Sequence, residues 1–361
     1  DPDFKFPQIW RSNFAVDQKL PFDLVGTLEF IYNKNVNGVY YINANLNDST
    51  TNYVGADNRL RWKGNNKINS NIDNAIVLKN QSEGYSWNIA ATIEKPMTMG
   101  LYGKAGFAYG VAKNTVDAGS IAFGSWNNNQ HTGNPNLPGL GVSLYTPDTR
   151  YFLALSYRFE YLNLGATTIS CFFDSYTNGR ASYAMSGDFN GDGGTSNDLI
   201  YIPKDASEMY FENYTVKVNG VDKTFTKADQ EAAWEAYIQQ DEYLSANRGS
   251  YAERNGVILP MVSRLDLSIA QEFFMELGGK RNAFEIRLDI LNFTNLINPD
   301  WGVGEVVRVA QPLIARPAAT DGKPVYRLAN INGELISKTF TNTASLFDVY
   351  RLQLALRYKF N

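Results

Sequence analysis

Cysteine and histidine are almost missing from this chain of 361 residues, which has one of each, Cys171 and His131. One cysteine excludes a disulfide framework and a cysteine metal site. One histidine excludes a multi-histidine metal centre and leaves only His131 for a catalytic triad. Charge is sparse too: charged residues make up 19%, the net charge is −4 and the pI is about 5.3. With no basic stripe, nucleic acid is not expected as a partner. No apolar run approaches the ~20 residues of a transmembrane helix. The opening Asp1-Pro2-Asp3 has neither the charged start nor the apolar run of an export signal. What is abundant is aromatic: 22 Tyr, 21 Phe and 6 Trp, or 14%. High aromatic content with a mean hydropathy of −0.32 leaves one membrane option open, a barrel that crosses with strands.

The last segment is the clearest. From Tyr350 to Phe360 every second residue is apolar or aromatic (Tyr350, Leu352, Leu354, Leu356, Tyr358, Phe360), and Arg351, Gln353, Ala355, Arg357 and Lys359 lie between. Unbroken period-two alternation marks a strand with two unlike faces. At a rise of ~3.3 Å and a tilt near ~45°, such a strand covers about 26 Å of depth, which matches the apolar band of an outer-membrane barrel. The pattern recurs at Trp10–Val16, Leu24–Tyr32, Tyr85–Ile93, Leu101–Val111, Tyr151–Phe159, Thr167–Ser175, Leu265–Ile269 and Phe284–Ile290. The expectation is about nine strands, with aromatic girdles from Tyr32, Tyr85, Phe159, Phe274, Tyr350 and Phe360.

Alternation alone does not separate a membrane barrel from a soluble sandwich, because only the direction of the apolar face differs. The connections break the tie. Short ones are expected at Leu20-Pro21-Phe22, Lys95-Pro96-Met97-Thr98, Glu160-Tyr161-Leu162-Asn163 and Leu277-Gly278-Gly279-Lys280. Long ones span roughly 33–84, 112–150, 177–262 and 293–348. Short and long strictly alternate, as periplasmic turns and external loops do in transmembrane barrels. The expected fold is therefore all-β, an antiparallel transmembrane β-barrel with long extracellular loops, and 1–361 form a single segment. If the last strand runs inward, so does the first. An odd strand count starting outside predicts that this is the C-terminal part of a larger barrel and does not close alone.

Five stretches resemble the C-terminal half of TonB-dependent outer-membrane transporters of the Oar-like group. They are QIWRSNFAVDQKLPFDLVGTL (8–28), SGDFNGDGGTSNDLIYIP (186–203), YAERNGVILPMVSRLDLSIAQEFF (251–274), RNAFEIRLDILNFTNLINPDW (281–301) and the terminal RLQLALRYKFN. The resemblance implies a barrel of about 22 strands around a plug, with this chain supplying the last nine. It implies a Gram-negative cell outer membrane as location, and no enzymatic activity. The function it implies is uptake of a nutrient (peptide, oligosaccharide or chelate) driven through TonB. The implied partners are outer-membrane lipid, the missing N-terminal plug and strands, TonB through that missing part, and a surface lipoprotein or larger outer-membrane complex. The alternative is a structural or docking barrel subunit without transport.

Several motifs carry chemistry of their own. Asp188, Asn190 and Asp192, followed by Gly193, have the spacing of a calcium loop; Leu199 replaces the closing acid, so Asp198 would have to close it. Calcium or another hard cation is thus one reading of this loop, and an Asx- and glycine-rich surface turn is the other. Residues 227–238 predict a short helix capped by Thr226, with Trp234, Tyr237 and Ile238 on one face packing the loop onto its own barrel. His131, in NNNQHTGNPN (127–136), is expected to be solvated. Cys171 alternates with Ile169 and Phe173 and is expected to face lipid or an interface. Arg264, Asp266, Glu285, Arg287 and Asp289 fall on the inward phase of two adjacent strands, where opposite charges are expected to pair across the ladder.

Overall fold

The computed structural model describes residues 1–49, 51–119, 121–161, 164–319 and 321–360. The alternating stretches fall in strands of one large antiparallel sheet: β1 (Gln8–Leu20), β2 (Leu24–Asn43), β3 (Tyr85–Thr98), β4 (Leu101–Asn114), β5 (Asp148–Tyr161), β6 (Gly165–Thr177), β7 (Met261–Leu277), β8 (Lys280–Leu291) and β9 (Arg351–Lys359). They neighbour one another in chain order as a meander, and two short strands (Ile76–Gln81 and Gly141–Val142) pair on β2 and β4. The sheet does not close: β1 and β9 each have one partner and form its two edges. Among the described residues, no helix is long and apolar enough to cross a membrane, which says nothing about strands.

Register turns the local alternation into two continuous faces. Tyr157, Ile169, Ile269, Leu288 and Leu354 lie side by side across β5 to β9. One residue back along β9 the row becomes Ser156, Ser170, Ser268, Asp289 and Gln353. In β1 to β4, Phe14, Phe30, Ile89 and Tyr109 make the equivalent apolar row. Among the described residues this face is left bare along β9, where Leu352, Leu354 and Leu356 are 61%, 69% and 66% exposed. Cys171, half-buried, stands on this face between Leu155 and Leu267.

Tight turns close the other end. Gly278 and Gly279 both have positive φ (61° and 75°), the conformation of a two-residue hairpin whose twist matches the flanking strands. One expected turn shifts. β3 runs on through Pro96 to Thr98, so the turn is Met99-Gly100 rather than Lys95–Thr98. The turn after Glu160 and Tyr161 was expected at Leu162 and Asn163, which lie outside the described residues, as does the chain's last residue, Asn361.

The buried core is not in the sheet. The long connections, all leaving one end of the meander, fold together into a cap with its own interior: Tyr53, Tyr183, Met185, Ile200, Trp234 and Leu313 are among its fully or nearly fully buried side chains. A second, smaller cluster joins Leu46, Trp62 and Trp126. The helix α1 (Lys227–Gln240) is stopped at its start by a capping box between Thr226 and Asp229. Its Trp234, Tyr237 and Ile238 are buried in the cap core, so the expected face exists but seals the cap rather than docking on strands.

Candidate functional site

The polar face is where the sheet carries chemistry. At the end of β7 nearest the cap, Arg264 donates to the carbonyl of Gly302 (3.0 Å), to Tyr176 Oη (3.0 Å) and to Asp348 Oδ1 (3.2 Å). Asp266 accepts the backbone N–H of Asn292 at 2.7 Å. Arg150 makes a bidentate pair with Asp174 (2.8 and 3.1 Å). Phe172, Asp174, Tyr176, Arg264, Asp266 and Asp348 line a cavity of about 560 Å³. Asp348 is buried, which alone would raise its pKa; hydrogen bonds from Gly304, Thr343 and Ser345 outweigh that and hold it at about 2. The cavity thus keeps a fixed negative charge beside a guanidinium.

Pairing across the β7–β8 ladder does not occur as expected. The turn at Gly278-Gly279 sets Asp289 opposite Ser268, Arg287 opposite Ala270 and Glu285 opposite Glu272, so Arg264 and Asp266 have no acid or base facing them on β8. Arg287 instead donates to Asp289 on its own strand (3.0 Å), and Ser268 donates to Asp289 (2.6 Å). The opposed acids Glu272 and Glu285 are bridged by Lys359, which also lies 2.9 Å from Glu285, and Arg158 pairs with Glu272 at 2.5 Å. Phe274 is a second correction. It lies under Arg281, 3.5 Å from the ring centre, on the polar face, so it does not belong to a lipid girdle; its neighbours Phe273 and Met275 are the exposed ones. Tyr350 lies just before β9 rather than inside it.

In the cap, the loop 188–198 is tightly built. Asp188 accepts the N–H groups of Gly191 (2.8 Å) and Gly193 (3.0 Å), and Asn190 accepts that of Asp192 (2.9 Å). Asp192 accepts that of Gly194 (2.6 Å). Asp198, fully buried, accepts the N–H groups of Phe189 and Asn190 and faces Arg59 at 3.4 Å. The four expected ligands are therefore neighbours, but their oxygens are turned on the loop's own backbone. Among the described residues, no three His, Cys, Asp or Glu side chains are grouped as metal ligands.

His131 is buried, not solvated. Its backbone pairs with Asn197 and Leu199, and its Nε2 lies 3.0 Å from Asn197 Nδ2 and 3.3 Å from Asp192. The polar sequence around it hid a contact made 66 residues away.

Sequence reasoning also missed the ion cluster behind Asp198. Arg59 pairs bidentately with Asp57 (2.9 and 3.0 Å) and is sandwiched between the rings of Phe189 and Tyr251 at 4.9 and 5.0 Å. Tyr251 and Tyr326 donate to Asp57 at 3.0 and 3.1 Å. This ties three of the four long connections together through one buried guanidinium. No local pattern in the sequence signals it. No protein-family model matches the chain, and neither a curated protein nor a solved structure matches it.

Proposed function

We propose that this chain is the C-terminal barrel portion of a TonB-dependent outer-membrane transporter, with its long connections folded outside as a cap and its polar face turned to the lumen. One observation supports this above the others: apolar side chains line up in register on one face across the strands of the meander, and among the described residues those of β9 stand largely exposed. In water such a face would be a severe aggregation liability, whereas hydrocarbon is its natural solvent. The polar face, with paired charges and a cavity at its cap end, has the character of a lumen wall contacting a plug and a nutrient. The open edges at β1 and β9 would be satisfied by further strands that complete the barrel. By family resemblance, the transported molecule is a nutrient too large for diffusion.

The test separates transport from the docking alternative. A photo-crosslinker is placed at Asp289, on the polar face, in the full-length protein in cells. Transport predicts a crosslink to a plug, with a yield that changes when the energy supply to TonB is removed. A crosslink to another outer-membrane protein, insensitive to that energy supply, would favour the docking subunit and overturn the transport reading.

A further inference from the structure

The cavity at the cap end of the polar face holds two charges that the fold leaves without partners. Asp174 is paired with Arg150, and Asp348 with Arg264. Asp266 and Arg351 line the same cavity, and among the described residues neither has an opposite charge within ion-pair distance. Asp266 is half-buried; its Oδ1 accepts the Asn292 N–H at 2.7 Å, and among the described residues its Oδ2 accepts nothing. Arg351 is exposed, and its guanidinium lies over the ring of Phe347, 5.3 Å from the centre. Asp266 stands on β7 and Arg351 on β9, with β8 between them. Leu291 of β8 is opposite Arg351, and the Asn292 that Asp266 holds is the next residue. Strands ~4.8 Å apart put the two backbones about 10 Å from each other, so one small molecule can reach both groups. Phe172, Leu291 and Phe347 give the space around them an apolar wall.

We propose that this cavity binds a short zwitterionic peptide, with its ammonium on Asp266, its carboxylate on Arg351 and an apolar side chain against Phe172, Leu291 and Phe347. The inference deepens the transport reading and rests on it, since it takes this face as the lumen wall. Charge selects the class of ligand. Asp174, Asp266 and Asp348 are matched in number by Arg150, Arg264 and Arg351, so a ligand with two charged ends and no net charge suits the wall. A neutral oligosaccharide would cover both ions without pairing either, which is costly. An anionic chelate would satisfy Arg351 and be repelled by Asp266. At about 560 Å³ the cavity lies within the range of small-molecule sites.

The experiment titrates the purified full-length protein with alanyl-leucyl-alanine, with its N-acetylated form and with its C-terminal amide, by calorimetry. The free peptide is expected to bind roughly tenfold or more tightly than either blocked form, because each of those lacks one charge-assisted contact. Asp266→Asn keeps the acceptor for Asn292; it should abolish the preference for the free over the acetylated peptide and retain the preference over the amide. Arg351→Gln should do the reverse. Equal binding of free and blocked peptides, a preference that survives in its own variant, equal weakening of all three peptides in either variant, or no binding of the free peptide would each overturn the proposal. The titration needs no energy supply, so its outcome is separate from that of the Asp289 crosslink. A crosslink that responds to the energy supply, with no peptide bound, overturns the peptide assignment alone. Peptide binding specific for both ends, with an unresponsive crosslink, supports the site and overturns transport alone.

Discussion

At the scale of residues, the fold sets charges against one another. Asp198 is fully buried, and burial, reinforced by Asp192, pushes its pKa up to about 6 even though Arg59 and His131 pull it back. Asp188 is pushed the same way, but it keeps contact with solvent, so Asp198 is the stronger lever. A carboxyl whose folded pKa is raised binds its proton more readily folded than unfolded. Its cost is absent below the unfolded value near ~3.9 and grows as pH rises toward about 6. With divalent ions chelated, proteolysis of the connection between β6 and β7 should therefore slow as pH falls from neutrality toward ~4.5, and a pH-independent rate would contradict this. On the sheet, Lys359 separates Glu272 from Glu285. Lys359→Met should cost about 1 kcal/mol, discounted for its partial exposure, and should speed hydrogen exchange in β9 first.

At the scale of elements, the strands were readable and the cap was not. Alternation over Tyr350–Phe360 is local, and each strand keeps its phase once a neighbour is paired, so the apolar rows of β5 to β9 follow from sequence alone. Phe274 shows the same rule applied too loosely, since its even phase already set it on the polar side with Arg264 and Asp266. The helix α1 was legible through Thr226 and its alanine-rich turns, and removing its cap by Thr226→Ala should cost about 1 kcal/mol in cap stability. Trp234→Ala, which opens a hole among fully buried neighbours, should cost about 3–5 kcal/mol, read as loss of cap protection from protease while the sheet stays intact. Cap contacts such as Tyr326 to Asp57 and Tyr53 to the Phe189 carbonyl join residues 269 and 136 apart in the chain. No spacing rule reaches that far, which is why His131 and Arg59 escaped the sequence reading.

At the scale of the molecule, two halves with opposite solvation share one chain. The cap buries its apolar side chains against one another, and the meander leaves them bare on one face while its other face carries the ion pairs. The short turns at one end and the connections converging at the other give the sheet a polarity that a sandwich does not need. The central claim is that the bare face meets lipid. It is tested most directly by single cysteines at successive positions from Leu352 to Leu356 in the full-length protein, reconstituted in bilayers and labelled with a fluorophore. The account predicts a period of two: labels at 352, 354 and 356 are quenched by brominated acyl chains, and labels at 353 and 355 only by a water-soluble quencher. The opposite phase, or no alternation at all, would contradict it.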